Sequence, residues 1–184
     1  LDTVIMGNKK LYDIMKEKDA LYMKEDFSDE DGIRAAELEA EFAELNGWEA
    51  ESDASKLIQG LGLSDSILYD VMSTLKESEK VKVLLAQALF GNPDIILLDE
   101  PTNFVDNSFE REFYAMVQEL SHNMAVMIVS HDLGTITSVV KSIVCVNRTA
   151  HRHDSNVLTE EQLRNYNCPI QIVSHGHIPH TVLE

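Results

Sequence analysis

From residue 79 onward, helix-length segments alternate with short, β-branched apolar runs, and this alternation most constrains what the chain can fold into. A helix over 79–90 is stopped by Gly91 and Pro93, and a strand follows over 94–99. A second helix over 108–120 leads to a strand at 124–130, and a third around 133–140 leads to a strand at 143–147. Helices returning the chain between apolar strands imply an α/β fold with a parallel sheet, and all three strands are expected in it.

The front of the chain has a different texture. All four prolines lie beyond residue 90, and residues 8–46 contain one glycine, Gly32. Leu11, Ile14, Met15 and Leu21 recur at helical spacing over 8–23. Ser28 with Asp31 forms a capping-box pattern opening a second helix through Ile33, Ala36, Leu38, Phe42 and Leu45, which ends at Asn46-Gly47. Two such helices make a hairpin with an acidic, solvated turn over 24–31. Phe42 and Trp48 are expected to anchor its core. With one apolar stripe per helix, the hairpin is expected to open more readily than the strand at 94–99. Near the other end, a short helix opened by Thr159-Glu160-Glu161 and a strand over 170–173 complete the pattern; there is no repeat and no low-complexity tract.

Charge narrows the function classes. Fifteen Lys and Arg against 32 Asp and Glu give a net charge of −17. The acidity is concentrated at the front, and no basic run exists to hold a phosphate backbone, so autonomous nucleic-acid binding is disfavoured. No apolar stretch reaches the ~18 to 20 residues that span a bilayer, so membrane insertion is not expected. The opening residues have neither an initiator Met nor a basic leader, and the chain reads as cut from something longer. Cys145 and Cys168 are too few for a disulfide framework, which suits a cytoplasmic setting. Five of the seven histidines, His151, His153, His175, His177 and His180, fall in the last 34 residues. Two H-x-H pairs without further fixed ligand spacing read as surface histidines, and no zinc site is expected.

The strongest chemical signal is Ile95-Ile96-Leu97-Leu98-Asp99-Glu100-Pro101-Thr102-Asn103, an apolar strand that empties into paired acids at its carboxyl end. Ligands of open α/β sheets sit at such ends. An Asp there can hold Mg²⁺ on nucleotide phosphates, and an adjacent Glu can polarise an attacking water. The next strand ends in Ser130-His131-Asp132, where a neutral histidine can contact a terminal phosphate.

Together, Leu97-Leu98-Asp99-Glu100-Pro101-Thr102-Asn103 and Val129-Ser130-His131-Asp132 resemble the Walker B motif, D-loop and switch histidine of ABC-type ATPases. The resemblance implies ATP and Mg²⁺ as cofactors, with Asp99 the metal-side acid, Glu100 the catalytic base, Asp106 the end of the D-loop and His131 the switch residue. Residues 1–103, helical hairpin included, are similar to the first cassette of ABC-F translation factors, which carry an arm before the signature motif and act on the ribosome. Residues 107–184 resemble the carboxyl end of zinc and manganese uptake ATPase subunits. A join near Phe104-Val105-Asp106 is therefore expected, making the chain a chimera.

The departures from the family pattern are specific. No GxxxxGK[ST] phosphate-binding string occurs in the 184 residues. The signature stretch reads Leu75-Lys76-Glu77-Ser78-Glu79-Lys80, with both glycines replaced; Ser78 is its nucleotide-side candidate, and Glu77 sets a negative charge against a phosphate. Phe104-Val105 is off-pattern for a D-loop. The expected organisation is a helical subdomain with an arm-like hairpin (1–78), a Walker B, D-loop and switch-histidine half-core lacking the P-loop half (79–150) and a histidine-rich segment (151–184). The resulting expectation is an ABC ATPase fragment, inactive alone, whose partners are a second cassette or the missing amino-terminal half, and the ribosome or transporter subunits by resemblance. The alternatives are a non-catalytic protein-interaction module and a designed or recombined chimera without native function.

Overall fold

The computed structural model describes residues 1–103, 105–131, 136–156, 170–175 and 178–183. Among the described residues six α-helices and six strands follow in the order α1 (Asp2–Ile5), α2 (Lys9–Tyr22), α3 (Asp29–Glu44), α4 (Ala50–Gly60), α5 (Glu77–Leu89), β1 (Ile95–Asp99), α6 (Asn107–Leu120), β2 (Ala125–Val129), β3 (Ile143–Asn147), β4 (Thr149–His153), β5 (Ile170–His175) and β6 (Ile178–Leu183).

The hairpin forms for the reasons its sequence supplies. Asn8 caps α2 by accepting from the Leu11 N–H, and Ser28 and Asp31 complete a reciprocal capping box on α3. Leu11, Ile14 and Leu21 face Ala35, Leu38 and Phe42 in one buried seam. Lys18 lies buried in that seam. Its ammonium meets Glu39 at 2.8 Å and sits 3.9 Å from the Phe42 ring centroid and 5.0 Å from that of Trp48. Trp48 is thus a lid over a cation rather than core: it stays 70% exposed, edge-on to Phe42.

Below the hairpin, α1 and α4 pack on α5 around Val4, Ile5, Ile58 and Leu85. The turn after α1 passes so close to α5 that a Cβ on Gly7 would lie 2.0 Å from the Gln87 carbonyl oxygen. The same core continues to Ile96 and Leu98 of β1 and to Phe109, Phe113 and Val117 of α6.

The strand β1 pairs with β2 in parallel, Ile95 opposite Ala125 through Asp99 opposite Val129. The helix α6 makes the crossover. One face of this pair is buried through Ile96 and Leu98, while Ile95 (65% exposed) and Leu97 (62%) look outward beside exposed Met127 and Val129.

The strand over 143–147 corrects the sequence-based expectation. It does not extend the parallel sheet but pairs antiparallel with β4, because Arg148 adopts φ 58° and reverses the chain between Asn147 and Thr149. The strand expected over 170–173 is present as β5, antiparallel to β6. Of the helix expected around 133–140, residues 133–135 lie outside the described residues and 136–140 form a turn, with the Val139 and Val140 N–H groups donating to the Ile136 carbonyl at 2.9 and 3.1 Å; the helix expected at 159 lies wholly outside them. No described helix is long and apolar enough to cross a membrane.

Candidate functional site

Parallel pairing of β1 and β2 places their carboxyl ends side by side. The ladder runs one step past the strands, with the Glu100 N–H donating to the Val129 carbonyl at 2.9 Å. Asp99 therefore ends β1 with an exposed carboxylate, and Glu100 turns away from the strand at φ 44°. A side chain in this left-handed region costs about 1–2 kcal/mol, so the surrounding contacts must hold it. Two of them are visible. The Glu100 carboxylate accepts from the His131 main-chain N–H at 2.9 Å, and its carbonyl accepts from the Asn103 N–H at 3.2 Å. The His131 ring is exposed, with Nε2 3.5 Å from the same carboxylate oxygen.

A second anchor ties the following loop to α6. The Thr102 hydroxyl lies 3.3 Å from the Tyr114 hydroxyl and 3.4 Å from a Glu110 carboxylate oxygen. Tyr114 is buried. Glu110 and Tyr114 carry no sequence signal beyond their i, i+4 spacing on the helix that follows the acidic strand end.

Asp106 caps α6: one carboxylate oxygen accepts from the Ser108 and Phe109 N–H groups, both at 2.9 Å. Those donors, Phe109 first, hold its carboxyl below the usual carboxylate range. Ser78 sits half-buried in the first turn of α5 between Glu77 and Glu79, where the Glu79 carboxylate accepts from the Lys76 N–H at 2.9 Å. Among the described residues, the structure brings together Asp99, Glu100 and His131. No hydrogen bond joins Ser78 or Asp106 to that group.

The histidine-rich end divides. His151 and His153 stand two positions apart on β4, His153 buried and His151 with Nε2 3.0 Å from the Thr149 hydroxyl. His175 and His180 lie on β5 and β6, opposite Ile178 and Val173, and His177 lies outside the described residues. No cluster of three or more His, Cys, Asp or Glu side chains placed to hold a metal occurs among the described residues.

An exposed Asp next to a carboxylate held at a strand end suits the metal side of a polyphosphate. The backbone donors that would cradle the phosphates do not belong to this group.

Comparison with known proteins shows the family and the fold. The family described as "ABC transporter" matches residues 6–103. The Bacillus subtilis ABC transporter ATP-binding protein YkpA is 57% identical over 145 residues, covering 78% of this chain and 26% of that protein. The Escherichia coli O157:H7 ATP-binding protein YbiT is 43% identical over 132 residues, 72% of this chain and 24% of that protein. The zinc import ATP-binding protein ZnuC of Ehrlichia chaffeensis is 37% identical over 89 residues, 47% and 37% of the two chains. The chain thus spans about a quarter of the length of the first two. Among solved structures, a metal-chelate type ABC transporter in an inward-facing conformation superposes with a TM-score of 0.61 at 21% identity, over 74% of this chain and 58% of that one. An ATP-binding cassette of an ABC transporter gives 0.52 at 24% identity, over 64% and 46%. At these identities the structures speak for the fold alone, an α/β ABC ATPase-like one with a parallel sheet and helices. A match that covers 78% of the 184 residues leaves about 40 outside it, so the YkpA similarity spans Phe104-Val105-Asp106 wherever it starts.

Proposed function

The chain belongs to the ABC transporter family, and from that membership we propose that Asp99, Glu100 and His131 form the metal and water side of an ATP site whose phosphate-cradling half comes from outside these 184 residues. The observation that carries this reading is the 2.9 Å hydrogen bond from the His131 N–H to the Glu100 carboxylate at the carboxyl ends of two parallel strands. In this reading Asp99 takes Mg²⁺, Glu100 orients the attacking water and His131 meets the terminal phosphate. When bound, Mg²⁺ would neutralise phosphate charge.

Two further features support an incomplete site. Parallel strands are ordinarily covered on both faces, yet Ile95, Leu97, Met127 and Val129 are exposed together. The P-loop string is also absent from the sequence. We assign the missing half to that open face. Ser78 and Asp106 belong to the proposal only as groups that another cassette would approach. Glu77 in the first turn of α5 sets a negative charge where a phosphate would come, which argues against activation of a partner site by this surface.

The match to one relative across residues 104–106 supports a single origin over a join there. We read α2–α3 as an ABC-F-like arm because the hairpin precedes α5 in the chain; action on the ribosome is not part of the proposal. A helical subdomain at 1–78, a half-core at 79–150 and a terminal segment at 151–184 remain our division. The implied partners are a second cassette or transporter membrane subunits, and the implied setting is cytoplasmic.

Calorimetric titration with Mg-ATP and a phosphate-release assay test the reading. The 184 residues alone should give no saturable binding in the micromolar range and no turnover. Joined to the preceding segment of the parent reading frame, they should hydrolyse ATP, and Glu100→Gln should abolish that turnover. Micromolar binding by the 184 residues, or turnover indifferent to Glu100→Gln, would overturn it.

A further inference from the structure

The end of the hairpin remote from the strand ends carries a surface that the ATP half-site does not use. The apolar residues that hold α2 to α3 are buried along the seam, but Tyr22, Met23, Phe27 and Ile33 at the tip are exposed, Met23 by 81%. An exposed cluster of large apolar side chains on an otherwise acidic chain marks a contact surface.

This tip is built rather than loose. The Tyr22 and Phe27 rings lie parallel within 4°, centroids 6.5 Å apart. The Tyr22 hydroxyl donates to Glu39 at 3.1 Å, fixing that ring to α3. The Phe27 ring lies over the first turn of α3, where a Cβ on Gly32 would be 3.7 Å from its Cε1. The Ser28–Asp31 capping box and the Lys24–Asp31 ion pair close the turn between the helices. Preformed aromatic groups lose little side-chain freedom on binding, which is why such residues anchor interfaces.

Charge selects the occupant. Around these rings stand Glu25, Asp26, Asp29, Glu30 and Asp31, against the single cation Lys24, whose ammonium is already paired with Asp31. A phosphate backbone or an anionic bilayer is repelled by such a rim. So is a second copy of a chain whose net charge is −17. A protein surface rich in Lys and Arg around an apolar cleft is attracted by the rim and filled by the rings. We infer that the tip of the α2–α3 hairpin docks a basic protein partner, with Tyr22, Met23 and Phe27 entering an apolar cleft and the acidic rim meeting Lys and Arg around it.

The experiment titrates the full 184-residue chain, ¹⁵N-labelled, with an amphipathic Lys/Leu helical peptide, an oligolysine of equal charge, a Glu/Leu peptide of the same pattern and an oligouridylate. The Lys/Leu peptide should perturb amides of residues 22–33 and bind at least about tenfold more tightly than oligolysine. Met23→Ser with Phe27→Ser should remove that advantage, and Glu25→Lys with Asp26→Lys should weaken binding independently. Circular dichroism should show both variants folded, since all four positions are exposed. Equal binding of oligolysine, saturation of the tip by oligouridylate or the Glu/Leu peptide, or shifts centred on Ile95, Leu97, Met127 and Val129 instead of the tip would overturn the inference.

Discussion

The main-chain N–H of His131 donates to the Glu100 carboxylate at 2.9 Å, joining two residues 31 positions apart. They meet because β1 and β2 run parallel and in register to Asp99 and Val129, so each chain leaves the sheet at the same end. The contact helps to hold Glu100 in a backbone conformation it would not choose.

That conformation makes Glu100 a test of its own. Glu100→Ala and Glu100→Gly both remove the carboxylate, but alanine keeps a Cβ at φ 44° and glycine does not. The left-handed penalty of about 1–2 kcal/mol outweighs the extra freedom glycine gives the unfolded chain. The glycine variant should be the more stable of the two by about 1 kcal/mol, read as a higher urea midpoint at unchanged m. An alanine variant as stable as the glycine one would mean the backbone relaxes out of the positive-φ region.

Acid should loosen the hairpin tip before the rest. The Lys24 ammonium, followed by the Ser28 N–H and hydroxyl, holds the Asp31 carboxyl down to about 2. A carboxyl lowered in the folded state contributes stability above its unfolded value, about 3.9, and that contribution fades as pH falls through the folded value. The window is therefore about pH 4 to 2. Glu17, held low by Arg34, and Glu39, held low by Lys18, act in the same direction along the hairpin. In an acid titration followed by amide signals at residues 28–31, Asp31→Asn should flatten the loss in this window. Superimposable curves for the two proteins would contradict the assignment.

Close backbone approach sets another contrast. Gly7→Ala drives a Cβ to 2.0 Å from the Gln87 carbonyl oxygen, a main-chain atom inside α5 that cannot swing aside. The expected loss is more than about 2 kcal/mol. Gly60→Ala meets nothing within 4 Å at the end of α4 and should gain up to about 1 kcal/mol from helix propensity. Thermal melts of the two variants should move in opposite directions.

The hairpin was legible because its signals are local: a capping residue, a 3.6-residue stripe and a terminal Asn-Gly all act within one helix. Asp99 and Glu100 were legible because an apolar run ending in two acids has few structural readings. What escaped depends on tertiary placement. A lysine is ordinarily read as solvated, and nothing near Lys18 in sequence says that Phe42 and Trp48 will enclose it. Arg148 is not a usual left-handed turn residue, so the antiparallel β3–β4 pair looked like one more parallel strand. Asp106 belongs to the nucleotide-side loop in the family pattern, while its carboxylate here is engaged by the N–H groups of the next helix.

The strand β1 is expected to open before the α2–α3 hairpin, the opposite of the order the sequence suggests. The hairpin has a continuous buried seam, two side-chain caps and the Lys18–Glu39 pair enclosed by rings. Among the described residues β1 has a single strand partner, and Ile95 and Leu97 face outward. Local opening costs least where few apolar contacts must be broken, so in the 184 residues alone the strand should fluctuate more than the helices. Hydrogen exchange should therefore show slower amides at residues 11–21 and 35–42 than at 95–99. Joining the preceding segment of the parent reading frame should raise protection at 95–99 while leaving the hairpin unchanged, because the open apolar face is then covered. Residues 95–99 already more protected than the hairpin in the 184 residues alone would show that the exposed face costs the strand nothing.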